Sequence, residues 1–315
     1  MIVITGSTGH IGNNFARLCL KKNIPFKLLA RRDSEAISDM LDYLVQGDIF
    51  DPVFLKNEVH QGDILVHFAA FIDIYDKNFD ESMYVNDFGT RIIFDFCKEF
   101  NIRLLYASSV DVITRTATQM HICEPVSIHP ELQSSNYAFT KASSTKVLMD
   151  LIERGEIQAS IVYPTAVIGT HDYKPSRAGE EILTCLNRHV FFYVDGGYNF
   201  IDVEDVSAFC LEIVQKSLFN SYILGGHNIK VLDFYRLINK IRNKKGIYIK
   251  IPKWLAFLVG TLSKKYSKVM MQAVYDNYHY DLSKMEKTFT HQLTPFEDTV
   301  SNTIDWFKRT PIKKK

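Results

Sequence analysis

Thr5-Gly6-Ser7-Thr8-Gly9-His10-Ile11-Gly12 follows the apolar run Ile2–Thr5 directly and opens a long amphipathic stretch, Ile11–Lys22. Glycines at this spacing permit a tight turn and a close backbone approach to a ligand. The helix that starts there offers unpaired N–H groups to a pyrophosphate. Strand, turn and helix agree, so Gly6, Thr8, Gly9, His10, Ile11 and Gly12 are read as the phosphate-holding part of a dinucleotide site.

The same rhythm continues outward from that turn. Further strands are expected at Phe26–Ala30, Ile64–Phe68, Arg103–Ala107 and Ser160–Tyr163, with helices at Asp51–Glu58, Met83–Phe100 and Tyr137–Arg154. The strands are continuous apolar runs, as expected where helices cover both faces of a sheet. The pattern is that of an α/β fold, a doubly wound parallel sheet. After Gly169 the alternation breaks into a polar HDYKPS stretch, a helix at Glu180–Arg188 and a strand at Val190–Val194. Phe200–Asp202 and Tyr222–Leu224 read as sheet returning to the first lobe, and the chain from Val231 reads as mostly helical around a strand at Ile247–Ile251. The division expected is 1–169 plus 200–225 for nucleotide binding, and 170–199 plus 226–315 for a smaller, mostly helical substrate lobe.

Strand ends carry the chemistry. A free ribose 2′-hydroxyl calls for a carboxylate after the second strand, and a 2′-phosphate calls for arginine. Here Ala30 is followed by Arg31 and Arg32, whose guanidinium forks suit a phosphate and favour NADP(H), while Asp33 keeps NAD(H) open. Gly47-Asp48, with Ile49 beside it, places a carboxylate where it could accept from an adenine amino group. Phe68, Ala69 and Ala70 end another strand with residues that let a dinucleotide lie close. Tyr137 and Lys141 are one helical turn apart, so both share a face, and a cation there lowers a phenol pKa toward acid/base use. Ser108 and Ser109 end the fifth strand, where open α/β sheets bind ligands. Ser109, preferred for its spacing from Val112, would hold a substrate oxygen.

Composition removes other classes. The 315 residues are 46 % hydrophobic and 23 % charged, with 37 basic and 36 acidic side chains. That is globular, and a formal charge of +1 provides no field for nucleic acid. No run approaches the roughly 20 apolar residues of a membrane span. Five scattered cysteines form no CxxC pair, and His121, His129 and His171 lack ligand spacing, so neither a disulfide framework nor a metal site is expected. With an apolar strand directly after Met1, a reducing cytoplasm fits best.

Taken jointly, these landmarks resemble the extended short-chain dehydrogenase/reductases of the NAD-dependent epimerase/dehydratase superfamily. TGxxGxxG at Thr5–Gly12, GD at Gly47–Asp48, HxAA at His67–Ala70, VNxxGT at Val85–Thr90, the serines and YxxxK occur in that family's order. Tyr163-Pro164-Thr165-Ala166-Val167-Ile168-Gly169 resembles its segment beside the nicotinamide, which brings Tyr163, Pro164, Ala166 and Val167 to the cofactor. The Arg-rich loop, the PTAVIG segment and YVDGGYNFIDVEDV are most similar to the dihydroflavonol-reductase-like branch, itself similar to hydroxysteroid dehydrogenases. The resemblance implies a Rossmann fold and hydride transfer at nicotinamide C4. Tyr137 would be general acid/base, Lys141 would bind the ribose, and Asn86 would help hold the active-site region.

Two family patterns are altered: Val112-Ile113-Thr114 stands for VYG, and Gly169-Thr170 for Gly-Pro. Both speak against a sugar nucleotide. The expected activity is therefore NADP(H)-dependent reduction of a carbonyl, or oxidation of a secondary alcohol, on a small to medium, partly hydrophobic molecule. A sugar-nucleotide epimerase or dehydratase with recycled cofactor is the alternative, and a non-catalytic nucleotide sensor is the third reading. His171 and Tyr173 are candidate substrate residues by loop position, as is Ser108. An apolar stretch followed by lysines at 252–268 is read as a core helix, a lid or a peripheral membrane contact. The chain is expected as a monomer or a homodimer, since the family often pairs through the YxxxK helix.

Overall fold

The computed structural model describes residues 1–73, 76–114, 121–262, 272, 274–275 and 279–310. Seven parallel strands form the main sheet: β1 (Ile2–Thr5), β2 (Phe26–Ala30), β3 (Leu44–Gln46), β4 (Ile64–His67), β5 (Arg103–Ala107), β6 (Ala159–Pro164) and β10 (Ser221–Leu224). Their spatial order is β10-β6-β5-β4-β1-β2-β3. The chain runs outward from β1 to β3, then crosses back to β4, so the strand order reverses between β1 and β4. Ligands of open α/β sheets bind beyond the carboxyl ends at such a reversal.

Alternation along each strand sends successive side chains to opposite faces, and both faces are covered. On one face Val3, Leu29 and Leu65 pack with α4 (Thr90–Glu99) and α5 (Asn136–Glu153) through Ile93, Phe94, Leu148 and Leu151. On the other, Ile4, Leu28 and Val66 meet α1 (His10–Lys21) and α7 (Val203–Lys216) through Phe15, Cys19, Val206 and Phe209. Each fully buried large apolar side chain contributes roughly 1.5–3 kcal/mol.

Two sequence expectations are corrected. The helix expected at 83–100 is three pieces: α3 (Phe79–Met83), a π-helical turn at Tyr84–Gly89, and α4. The strand over 200–202 does not join the main sheet either. β9 (Gly197–Asp202) pairs in parallel with β7 (Ala166–Ile168) and antiparallel with β11 (His227–Lys230). Pro164 has no N–H to donate and ends β6. Thr165 N then donates to Leu224 O at 3.0 Å, and the chain leaves the main sheet.

A further pair, β8 (Val190–Tyr193) and β12 (Ile247–Lys250), runs parallel. These strands pack with α6 (Arg177–Cys185), α8 (Val231–Ile241) and the helix Phe296–Arg309 around a third core. Phe200 is its hinge point, with ring centroids 5.2 Å from Phe234 and 5.4 Å from Phe296. Of the stretch 252–268, residues Lys253–Leu262 form helix α9, and 263–268 lie outside the described residues.

Candidate active site

The glycine turn is shaped by close approach. Gly6 has φ +76°, and a Cβ there would meet Ala69 N at 2.4 Å, so the turn presses against the end of β4 as only glycine can. A Cβ on Gly12 would meet Gly6 O at 2.4 Å, which seats the start of α1 against the same turn. The helix begins at Gly9 with no side-chain cap and no acidic residue in its first turn. Its N–H groups and dipole therefore suit an anion. A dinucleotide fits this cradle: a narrow turn, an uncapped helix end and the small Ala69 and Ala70 meet at the strand reversal.

Residues that spacing did not single out hold that cradle. Asn13 Nδ2 donates to Ser7 O at 3.1 Å and to Ala36 O at 2.6 Å, tying the turn to the loop after β2. Its Oδ1 accepts from Arg17 Nε at 2.8 Å, and Arg17 grips Asp39 with both nitrogens at 2.6 and 2.9 Å. Arg31 and Arg32 stand exposed on that tethered loop, where β2 ends. Asp48 is exposed and accepts from Phe50 N at 3.0 Å through Oδ1, while Ile49 is buried in the core below it. The Phe68 ring lies against Phe15 at 5.4 Å. The His10 imidazole pairs with Thr170 O at 2.9 Å, so its side chain braces the loop after β7 and its backbone serves the turn.

At the ends of β5 and β6 the candidate catalytic side chains converge. Ser109 caps the short turn Val110–Val112, accepting from Asp111 N at 3.1 Å. Its hydroxyl lies close enough to the half-buried Tyr137 phenol to lower its pKa. Lys141, one turn along α5, is 1 % exposed. Its Nζ donates to Ala107 O at 2.6 Å and lies 4.1 Å from the centroid of the Tyr106 ring. Ser108 instead pairs with Thr145 Oγ1 at 2.8 Å, inside the sheet–helix interface.

The electrostatics differ from the simple expectation. Burial pulls the Lys141 ammonium down to about 7. Burial, the Asp111 carboxylate and Tyr106 push the Tyr137 phenol up, opposed by the nearby Ser109 hydroxyl. The phenol therefore keeps its proton at neutral pH in this arrangement, and Lys141 does not depress it.

Asn86 sits on the π-helical turn and is a positioning residue. It accepts from Phe71 N at 2.8 Å and donates to Phe71 O at 2.8 Å, to Ser82 Oγ at 3.2 Å and to Thr140 Oγ1 at 3.1 Å. One amide thus joins the chain after β4 to the Tyr137 helix. Asp73 and Asp76 do the same work at the helix start, accepting from Asn136 Nδ2 at 3.2 Å and Asn136 N at 2.8 Å. His67 lies between Thr5 Oγ1 at 2.8 Å and Thr90 Oγ1 at 3.3 Å. Burial and the Lys141 charge hold it neutral, down to about 3. Sequence reading saw it only as the start of a small-residue strand end.

The remaining candidates lie elsewhere. His171, with φ 57°, and Tyr173 pack around Trp306, at 5.8 and 5.1 Å between centroids. His171 also feels the charges of Arg17 and Asp39, and no contact among the described residues links either ring to Ser109, Tyr137 or Lys141. Tyr163 is fully buried, with its hydroxyl 3.9 Å from Met149 Sδ, so its side chain points into the core. Pro164 ends β6, and the part-buried Ala166 and Val167 follow on β7.

Fold and turn together define an NAD(P)-dependent enzyme of the extended short-chain dehydrogenase/reductase type, built on a Rossmann sheet. The chain belongs to the NAD dependent epimerase/dehydratase family, whose model matches residues 2–225. It is 25 % identical over 272 residues to sterol demethylase protein B of Methylococcus capsulatus, covering 84 % of this chain and 82 % of that one. It is 26 % identical over 324 residues to a Synechocystis protein named as a candidate dihydroflavonol 4-reductase, covering 97 % and 94 %. Among solved structures, gox2253 aligns with a TM-score of 0.86 at 24 % identity, covering 100 % of this chain and 99 % of that one. The dTDP-glucose 4,6-dehydratase of Bacillus anthracis, solved in complex with NAD, aligns with a TM-score of 0.74 at 17 % identity, covering 98 % and 96 %. Among the described residues no helix is long and apolar enough to cross a membrane.

Proposed function

We propose that this chain is an NADP(H)-dependent reductase of a carbonyl on a small to medium, partly hydrophobic molecule, working in reverse as a secondary-alcohol dehydrogenase. The observation that carries the reading is the Tyr137 phenol beside the Ser109 hydroxyl at the carboxyl end of β5, with the buried Lys141 one helical turn away. The dinucleotide, bound along the glycine turn, supplies hydride from the nicotinamide. Ser109 donates a hydrogen bond to the carbonyl oxygen and orients it, and Tyr137 delivers the proton that the forming alkoxide needs. Lys141 binds the nicotinamide ribose and carries positive charge to the site. Arg31 and Arg32 would hold the 2′-phosphate, Asp48 would accept from the adenine amino group, and the backbone of Tyr163–Val167 would line the nicotinamide side. Free buried cysteines suit a reducing compartment such as the cytoplasm.

A second reading has its own support. Asp111 places a carboxylate close enough to raise the Tyr137 phenol, which supplies a second acid/base group such as water elimination requires. The dTDP-glucose 4,6-dehydratase of Mycolicibacterium smegmatis is 25 % identical to this chain over 338 residues. Multiple-turnover absorbance with excess NADPH and a panel of aldehydes, ketones and steroid-like carbonyls separates the two. Sustained oxidation by the native protein, reduced at least about 100-fold in Tyr137→Phe with cofactor affinity kept, is expected. A net-redox-silent turnover of sugar nucleotides would replace this reading with the second.

A further inference from the structure

Strands β8 and β12 have one covered face and one bare face. Phe191 and Tyr248 turn inward, with the Phe191 ring 5.3 Å from Tyr235 and 5.6 Å from Tyr248. Parity sends Val190, Phe192, Ile247 and Ile249 outward, and the parallel register sets Ile247 beside Val190 and Ile249 beside Phe192. All four are exposed, Ile247 at 62 % and Phe192 at 57 %. β12 ends at Lys250 and α9 begins at Lys253, just after Pro252, exposing Trp254 at 69 % and Leu258 one turn along. Water-facing apolar side chains on consecutive elements mark an interaction surface.

The charge around these elements says what the surface meets. Residues 241–258 hold Arg242, Lys244, Lys245, Lys250 and Lys253 and no acidic residue, in a chain whose net charge is only +1. Arg242 is occupied by the carbonyls of Cys185 and Arg188, and Lys250 by Asp195 at 2.9 Å. Lys244 and Lys245 are exposed at the turn leading into β12. A second copy is disfavoured as the occupant, because a two-fold interface sets the same patch against itself and would oppose these like charges. Lysines beside an exposed tryptophan and bare aliphatic side chains match the boundary of an anionic bilayer, where the rings and aliphatics enter the headgroup region and the ammonium groups stay at the phosphates. We propose that the β8–β12 face and the start of α9 seat this protein on the surface of a membrane containing anionic lipid. The inference stands apart from the catalytic reading.

Sedimentation of the full-length protein with vesicles tests it. Vesicles of phosphatidylcholine and phosphatidylglycerol in equal parts are compared with phosphatidylcholine alone, at about 0.1 M and about 1 M salt, where the Debye length falls from about 10 to about 3 Å. Binding is expected only to the anionic vesicles at low salt. Lys244→Gln with Lys245→Gln should weaken it by roughly 25-fold, about fivefold per lysine. Phe192→Thr with Ile249→Thr, which keeps strand propensity, should weaken it similarly and leave the thermal midpoint in place. No binding to anionic vesicles, or binding undiminished in both variants, overturns the proposal. So does a solution dimer that the threonine variant dissociates, because the face would then belong to a second copy.

Discussion

Lys141 is the side chain whose state is most open to change. Its burial leaves it near neutrality at about 7, with the Ala107 carbonyl as its hydrogen-bond acceptor. Ribose hydroxyls arriving beside it accept a stronger, charge-assisted hydrogen bond from the ammonium than from the neutral amine, and the anionic cofactor favours the cation. Cofactor binding is therefore expected to raise its pKa. At pH 8 NADPH binding is then expected to take up close to one proton. Calorimetry in two buffers of different ionisation enthalpy reads this directly, and Lys141→Met should abolish the difference between buffers. Buffer-independent heats in the native protein would remove Lys141 from the ribose. Arg31 and Arg32 make a separate claim on the far end of the cofactor. Replacing both with alanine should weaken NADPH roughly 10- to 100-fold through lost charged hydrogen bonds and leave NADH nearly unchanged. Equal losses in titrations of both cofactors would mean that the pair does not read the phosphate.

At the scale of elements, the π-helical turn explains what local pattern hides. An extra residue in one helical turn aims Asn86 at Phe71 on one side and Thr140 on the other. Asn86→Ala leaves the part-buried Phe71 N–H and carbonyl without that partner, which costs about 1–3 kcal/mol. The urea midpoint should fall accordingly, and a shift worth under about 0.5 kcal/mol would show that other groups hold the loop. Five strands and the glycine turn were legible because their signals are local: apolar runs of strand length and glycines at a fixed spacing. The break into Phe79–Met83, the π turn and Thr90–Glu99 was not, since its cause lies in contacts with Phe71 and Thr140. The pairing of β9 with β7 and β11 was hidden for the same reason, because Phe200 and Ile201 read like the apolar run of a main-sheet strand. The sequence pattern names Ser109, Tyr137 and Lys141 and the structure places them together at the end of β5, but the rise of the Tyr137 phenol depends on burial that spacing does not report. Loop position alone did not report that the His171 and Tyr173 rings pack around Trp306.

Across the whole molecule, two carboxylates at the start of α7, the cap Asp202 and Asp205 in its first turn, secure the C-terminal part of the chain. Asp205 accepts from Thr294 N and Oγ1 at 2.8 Å each and pairs with His291 at 2.7 Å. Asp202 accepts from Thr299 Oγ1 at 2.7 Å and Glu204 N at 2.8 Å, so one side chain both caps α7 and holds the helix Phe296–Arg309. Burial outweighs these hydrogen bonds and pushes the Asp202 carboxyl up from 3.8 to about 6. A folded pKa above the unfolded one means that the folded chain binds the extra proton. Its contribution is complete below pH 3.8 and is lost as pH rises through about 6, at most about 3 kcal/mol. His291, raised by Asp205, acts in the same direction at higher pH: its contribution is full below the unfolded imidazole value and fades as pH rises through its raised folded value. Asp202→Asn keeps the cap and cannot ionise. Urea unfolding at pH 4.5 and 7.5 should show the native chain losing more stability than the variant over that interval, by about 1–3 kcal/mol. Parallel slopes in the two proteins would mean that Asp202 is already ionised in the fold at the lower pH, and that the join between α7 and the C-terminal helix is held as a charged cap.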